Sequence, residues 1–178
     1  IYSSIFSLLL YGGLRPPISK SIAESFKLYV LPIYLFLAQV IISEKPSVAA
    51  DISNALGGLE KKDGWFESND YLVTWAIGHM LELVPPEGYK DEWKKWSMKT
   101  LPIIPETFKT KSYQDKGRKK QLSTILKLIK RDEVEFIINA CDAAREGERI
   151  FQEIYRRSGT SKPYKRLWLQ SMTADSIR

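Results

Sequence analysis

Residues 134–148 have the sequence VEFIINACDAAREGE, an apolar run that ends in a cluster of charged side chains. The apolar part, interrupted only by Glu135, predicts a buried strand. Three carboxylates and one arginine follow it: Asp142, Arg145, Glu146 and Glu148. Ligands of open α/β sheets bind at the carboxyl ends of strands, and a hard cation such as Mg²⁺ takes carboxylate oxygens. The alternative is a solvated acidic turn that opens a helix, because acidic residues favour the first helical turn.

A second strand also ends in a carboxylate. Residues 40–49, VIISEKPSVA, predict a buried strand followed by a helix, with Ser47 as N-cap and Gly57 just past the end of the helix. If the two strands are parallel neighbours, Glu44 lies close to the acidic cluster that follows the first strand.

The remaining pattern alternates between strands and helices. Apolar residues spaced i, i+3, i+4 and i+7 from Leu122 predict an amphipathic helix over about 118–131. Other segments predict strands at 71–75, 135–140 and 166–169, helices at about 47–56 and 147–157, and a short helix that places Trp93 and Trp96 on one face. This order predicts a mainly parallel α/β sheet flanked by helices on both faces.

Composition limits the classes of protein that the chain can represent. The 178 residues suit one domain, and the formal net charge of +6 favours an anionic partner. The single cysteine, Cys141, excludes an internal disulfide framework, fits a reducing compartment and is predicted to be a small buried residue. His79 is the only histidine, which excludes a histidine-rich metal site.

Residues 1–39 form an apolar leader that fits the remaining pattern poorly. Its second apolar run, residues 28–38, is shorter than the roughly 20 residues that a membrane helix requires. We expect an extraneous or non-native extension and no stable membrane association, and a membrane tether is the alternative.

Two motifs resemble a known family. SEKPSVA, residues 43–49, and DAAREGE, residues 142–148, resemble the acidic motifs of the Toprim domain in type IA DNA topoisomerases, and the topoisomerase III branch in particular. Three further segments, residues 74–83, 101–108 and 165–173, also resemble segments of this family and occur in the same order along the chain. The resemblance implies a Rossmann-like Toprim domain over residues 40–172 and the start of the next topoisomerase domain at 173–178.

The resemblance also implies a chemistry. A complete enzyme of this family uses Mg²⁺ to cleave and rejoin single-stranded DNA through a 5′-phosphotyrosyl intermediate. By position, Glu44 corresponds to the family's glutamate near the scissile phosphate. Glu44, Asp142 and Glu146 together correspond to the carboxylates that bind the metal. Lys45 is expected to hold a phosphate oxygen. Arg145 is expected to contact phosphate or a ligand carboxylate, with a structural salt bridge as the alternative.

The expected contacts with DNA involve one histidine and one basic run. His79 belongs to a glycine-histidine segment that lies near the DNA backbone in the family, although a structural role is equally compatible with a lone histidine. The basic run of residues 109–131 predicts a phosphate-binding patch, with a solvated face as its alternative. The core of this patch is formed by Lys116, Arg118, Lys119 and Lys120.

Two departures restrict what the chain is expected to do. Ala144 replaces a second aspartate that many family members carry, so we expect weaker Mg²⁺ binding. The family's catalytic tyrosine lies after the Toprim domain, so residues 1–178 are not expected to cleave DNA alone. Two other interpretations are a Toprim nuclease or primase-like module and a non-catalytic nucleic-acid-binding relic. The resemblance implies a cytoplasmic, nucleoid-associated protein.

Overall fold

The apolar strand segments pair into one six-stranded sheet. A computed structural model describes residues 37–169, 171 and 173–177, so the prediction for the leader before residue 37 lies outside the described residues. The strands of this sheet are ordered β2-β3-β4-β1-β7-β8. Their bounds are β1 (Ala38–Ser43), β2 (Glu60–Lys61), β3 (Trp65–Glu67), β4 (Tyr71–Trp75), β7 (Val134–Ala140) and β8 (Tyr164–Arg166).

The pairing directions place the ends of four strands at one edge. β4, β1, β7 and β8 are parallel neighbours, and β2 and β3 add an antiparallel hairpin beside β4. Ser43, the last residue of β1, is in register with Trp75 on one side and with Ala140 on the other. The chain therefore leaves β1 and β7 at neighbouring positions on the same edge of the sheet.

Helices cover both faces of the sheet, as the sequence predicts. The four α-helices within the described residues are α1 (Pro46–Ala55), α2 (Lys116–Ile129), α3 (Arg145–Ser158) and α4 (Ala174–Ile177). Alternation along β1 explains the two layers: Val40 and Ile42 belong to the buried core that includes α2 and α3, whereas Ile41 belongs to the core that includes α1 and Ile177. Nowhere in the described part of the chain is there a helix of the length and apolarity that crossing a membrane requires.

Three local predictions differ from the structure. Helix α1 begins at Pro46 with Lys45 as N-cap, so Ser47 is not the cap; the fixed φ of proline suits the first helical position. The last sheet strand is Tyr164–Arg166 and not 166–169. A short 3-10 helix, Asp91–Lys94, contains Trp93 but not Trp96, which is 73% exposed and does not cover the core.

A smaller two-stranded sheet carries a long connector loop. β5 (Leu81–Leu83) pairs antiparallel with β6 (Thr110–Ser112), and the loop between them comprises residues 84–109. The Val84 amide donates to the Lys109 carbonyl at 2.9 Å, and the Lys109 amide donates to the Tyr89 hydroxyl at 2.6 Å. These hydrogen bonds close the loop at its base.

Candidate functional site at the carboxyl edge of the sheet

Two predicted acidic residues meet around one lysine at the carboxyl edge. Glu44 follows β1 directly, and Asp142 follows β7 by two residues. Lys45 Nζ lies 3.3 Å from Asp142 Oδ2 and 3.9 Å from Glu44 Oε1. The Ser43 hydroxyl donates to the Lys45 carbonyl at 2.9 Å, which fixes the turn between β1 and α1. The Glu44 side chain is 13% exposed and that of Asp142 is 50% exposed, so solvent reaches the pair from one side.

The charges of this edge alter two neighbouring groups. The hydrogen bond to Asp142, with the negative charges of Asp142 and Glu44, raises the pKa of Lys45. Burial, together with the nearby charge of Glu44, raises the pKa of the Cys141 thiol to about 12. Cys141 is 3% exposed, which confirms the prediction of a small buried residue. A thiolate nucleophile at Cys141 is thereby disfavoured.

Glu148 has a structural role beneath the edge. Arg166 forms an ion pair with it, and Asn139 and Gln152 donate hydrogen bonds at 3.0 Å and 2.8 Å. The hydrogen bond from Arg166 is the largest of several effects that lower the pKa of Glu148. Arg166 also donates to the carbonyl of Cys141 at 3.0 Å. The guanidinium therefore holds α3 and the loop after β7 together.

His79 connects Glu146 to a second carboxylate on the same helix. His79 Nε2 lies 3.6 Å from Glu146 Oε1, and His79 Nδ1 lies 3.6 Å from Glu153 Oε2. Glu146 and Glu153 are seven residues apart, so two helical turns place them on one face of α3. Arg118 also donates to the His79 carbonyl at 3.3 Å. The glycine-histidine segment is thus held against both α2 and α3.

The first turn of α3 approaches the loop after β7 very closely. A Cβ atom at Gly147 would lie 2.3 Å from the carbonyl oxygen and 2.8 Å from the amide nitrogen of Asp142. No side chain fits at such distances, so glycine is required for this packing. Ala144 is the N-cap of α3 and provides no side-chain cap.

The donor set fits Mg²⁺ as a site with few carboxylates. Within the described residues, no three histidine, cysteine, aspartate or glutamate side chains form a metal-binding group. Glu44 and Asp142 nevertheless already share one cation, the Lys45 ammonium. Mg²⁺ is commonly held by one or two carboxylates, with water and phosphate completing its shell. Glu146, the third predicted ligand, lies in the first turn of α3 and is engaged by His79.

The predicted phosphate-binding patch is only partly available. Arg118 stacks on the Tyr113 ring at 4.6 Å in addition to its bond to His79. Lys120 pairs with Asp63 at 2.6 Å, and Lys119 donates to Gln114 at 2.8 Å. Lys116 is exposed in the first turn of α2.

Two contacts at the edge were not predicted from the sequence, and the predicted alternative role of Arg145 as a structural salt bridge is not observed among the described residues. Arg166 was missed as the partner of Glu148, and Glu153 as a partner of His79. Only the seven-residue spacing from Glu146 could have indicated Glu153. Arg145 is exposed and makes no ion pair with any described residue, so its alternative as a structural salt bridge finds no support there.

The acidic motifs predict a mainly parallel sheet with neighbouring carboxylates at its carboxyl edge, and the structure has this arrangement, with Lys45 between Glu44 and Asp142. The family model of the Toprim domain matches residues 39–171. The chain therefore belongs to the Toprim domain family.

Full-length relatives indicate the branch. The chain is 44% identical over 142 residues to DNA topoisomerase 3 of Staphylococcus saprophyticus, and 42% identical to that of Staphylococcus aureus. Both alignments cover 80% of the chain and 20% of the relative, so the chain spans about a fifth of the length of these relatives. The resemblance to the topoisomerase III branch is confirmed.

A solved structure of topoisomerase I from Thermotoga maritima is also similar. It is 26% identical, with a TM-score of 0.48, and the match covers 78% of this chain and 19% of that one.

Proposed function

We propose that this chain is the Mg²⁺-binding Toprim portion of a type IA DNA topoisomerase of the topoisomerase III kind. The complete enzyme cleaves single-stranded DNA, forms a 5′-phosphotyrosyl link and rejoins the strand, and it acts in the cytoplasm in association with the nucleoid. The observation that carries the proposal is the shared cation position between Glu44 and Asp142 at the carboxyl edge. The relatives named DNA topoisomerase 3 support the topoisomerase interpretation over a nuclease or a primase-like module.

Each charged residue of the carboxyl edge has a role in the proposed chemistry. Glu44 lies at the end of β1 with a largely buried side chain, where a carboxylate is positioned to exchange a proton with a DNA 3′-hydroxyl. Lys45 and Arg145 are cations at the same edge and suit contact with phosphate oxygens. Glu44 and Asp142 would hold Mg²⁺, with Glu146 as the third predicted ligand once it leaves His79. When bound, the ion would neutralise phosphate charge.

Cation binding competes with an existing ion pair. The Lys45 ammonium neutralises Asp142 in the absence of a metal. A divalent cation at Asp142 would release Lys45, which becomes free to contact phosphate. The substitution Lys45→Met should therefore strengthen Mg²⁺ binding to the chain while it weakens binding of a phosphate group.

Thermal unfolding with and without Mg²⁺ tests the proposal on the chain itself. A ligand that binds only the folded state stabilises it by about 2.7 kcal/mol at a concentration one hundred times its Kd. We expect Mg²⁺ to raise the Tm of the wild-type chain more than Na⁺ does at equal ionic strength. The double variant Asp142→Ala with Glu146→Ala should lose this increase.

A matched double variant controls for the loss of two negative charges. Asp132 and Glu135 are exposed at the opposite end of β7 from the acidic edge. Asp132→Ala with Glu135→Ala should keep the full Mg²⁺-dependent increase in Tm. The proposal is wrong if the increase survives in the Asp142 and Glu146 variant, or if the wild-type chain shows none.

A further inference from the structure

Three open clefts lie in a row, and each neighbouring pair of clefts is lined by a shared cationic residue. The first cleft lies against the connector loop and has a volume of about 420 Å³, and the second has a volume of about 580 Å³; Lys109 lines both. The third cleft, of about 250 Å³, lies along α2 and shares Arg157 with the second. We call the three clefts joined through Lys109 and Arg157 the cationic track. The lysines of the third cleft and Lys109 belong to the predicted basic run of residues 109–131, whereas Arg156 and Arg157 lie outside it.

The middle cleft contains cations without acidic partners. Lys109, Arg156 and Arg157 are exposed, and none of the three forms an ion pair with a described residue. Glu153, the acid of this cleft, already accepts a hydrogen bond from Arg149 at 2.8 Å. The net positive charge of the cleft is therefore available to an anion.

The outer clefts extend this positive surface. The third cleft is lined by Lys119, Lys127 and Lys130 in addition to Arg157, and no carboxylate lines it. The first cleft contains Lys90 and Lys109 together with one acid, Glu106. A row of cations along joined clefts matches the repeating phosphates of a nucleic-acid backbone.

Aromatic rings accompany the cations at the connector loop. Tyr89 and Trp93 line the first cleft with ring centroids 6.2 Å apart, and Phe108 lines the second with 67% of its surface exposed. The Tyr89 hydroxyl accepts a hydrogen bond from the Lys109 amide, and the Lys109 ammonium lies 5.9 Å from the centre of the Tyr89 ring. Exposed rings beside a cationic groove are typical of proteins that stack the bases of single strands.

We infer that the cationic track binds a single-stranded nucleic acid, with phosphates on Lys109, Arg156 and Arg157 and a base stacked on Phe108. A single strand fits better than a duplex because a duplex hides the base faces that exposed rings require. The inference rests on the proposed function for the choice of nucleic acid as the anion.

The position of the track relates it to the acidic edge. Glu146 and Arg157 are eleven residues apart on α3, which corresponds to about 16 Å along the helix axis. A strand held in the track therefore lies within a few nucleotides of the carboxylates. The track would hold the strand beside the position at which the complete enzyme acts on it.

Fluorescence anisotropy of a labelled oligodeoxythymidine of about 15 nucleotides tests the inference. The assay uses the whole chain in EDTA, so its result does not depend on Mg²⁺ binding at the acidic edge. The triple variant Lys109→Gln, Arg156→Gln and Arg157→Gln should lower the affinity about tenfold or more. It should also reduce the slope of log K against log salt concentration by about 2, since each phosphate contact of a single strand contributes about 0.7 to this slope.

A second triple variant removes the same charge elsewhere. Lys94, Lys95 and Lys99 are exposed and line none of the three clefts. Their replacement by glutamine should change the affinity less than about threefold. The inference is overturned if this variant loses as much affinity as the track variant, if a duplex of equal length binds as tightly as the single strand, or if the wild-type chain binds neither.

Stacking is tested separately from charge. Phe108→Ala should lower the affinity about tenfold, and Phe108→Trp should restore it, because stacking contributes about 1–3 kcal/mol for each base. Met98→Ala is the matched control, since Met98 is an 89% exposed apolar side chain of the same loop that lines none of the clefts. If Phe108→Ala and the wild-type chain bind the oligonucleotide with equal affinity, the inference that a base stacks on Phe108 is wrong. Failure of these tests with an intact Mg²⁺ response would overturn the track alone and leave the proposed function standing.

Discussion

Replacement of Gly147 tests the close packing between α3 and the loop after β7. In most helices, replacing glycine by alanine is favourable by about 1 kcal/mol, because alanine restricts the unfolded chain. Here the new Cβ would lie 2.3 Å, 2.8 Å and 3.0 Å from the O, N and C atoms of Asp142. These are backbone atoms, so no side-chain rotation can relieve the contact. Overpacking of this kind costs about 3 kcal/mol.

The net effect of Gly147→Ala is then a destabilisation of about 2 kcal/mol. For a domain of this size, that difference lowers the Tm by about 4–8 °C. Displacement of Asp142 should also disrupt its ion pair with Lys45 and weaken Mg²⁺ binding. Differential scanning calorimetry measures the first effect, and the Mg²⁺-dependent change in Tm measures the second.

Gly117→Ala provides the matched control. Gly117 lies in the first turn of α2, where a Cβ would meet only the side-chain oxygen of Asp115 at 3.2 Å. The Asp115 oxygen is also the cap of α2 and accepts a hydrogen bond from the Arg118 amide at 2.7 Å, so displacing it costs about 1 kcal/mol. The higher helix propensity of alanine offsets this cost, and the variant should differ from the wild-type chain by less than about 1 kcal/mol. A Gly147→Ala chain as stable as the wild type, with Mg²⁺ binding unchanged, would refute the argument from close packing.

Three further predictions concern neighbouring residues. Glu148→Ala should destabilise the chain by only about 1 kcal/mol above pH 5, because half-exposed ion pairs are screened. Since the folded pKa of Glu148 is lowered, this difference should begin to shrink as the pH falls below about 4, the usual pKa of an unfolded glutamate, and should vanish only below the folded pKa. Urea titrations at several pH values measure it. Cys141 should react with iodoacetamide at pH 8 about a thousandfold more slowly than a free thiol until urea unfolds the chain, and rapid labelling would contradict its burial. Ala144→Asp should raise the Tm in EDTA, because it supplies a side-chain cap worth about 1 kcal/mol. It should also strengthen Mg²⁺ binding, and an equal Mg²⁺ affinity of the variant and the wild-type chain would count against the expected role of a second aspartate.

The fold was largely predictable because local patterns and strand order agree. The apolar runs that end at Glu44 and before Asp142 became the adjacent parallel strands β1 and β7. Helix positions followed from apolar spacing, to within two residues at each end. The predicted N-cap at Ser47 was wrong because proline occupies the first helical position, so that Lys45, two residues earlier, is the N-cap of α1.

The site was less predictable because its partners are distant in sequence. The contact between Arg166 and Glu148 depends on how β8 aligns beside β7, which no local pattern records. The basic run predicted a phosphate-binding patch, with a solvated face as the alternative, but the Arg118 guanidinium stacks on the Tyr113 ring. The cations of the track come from the connector loop and from two helices, so only the fold brings them together.

Residue-resolved NMR with a paramagnetic cation locates the proposed metal site on the chain. Mn²⁺ takes the same oxygen ligands as Mg²⁺ and broadens the signals of nuclei near its binding site. At low Mn²⁺ concentrations, we expect selective broadening of amide signals in residues 43–45 and 141–147. The broadening should be reversed by excess Mg²⁺ and lost in Asp142→Ala. Broadening centred elsewhere in the chain, or insensitivity to Asp142→Ala, would contradict a metal site at the carboxyl edge.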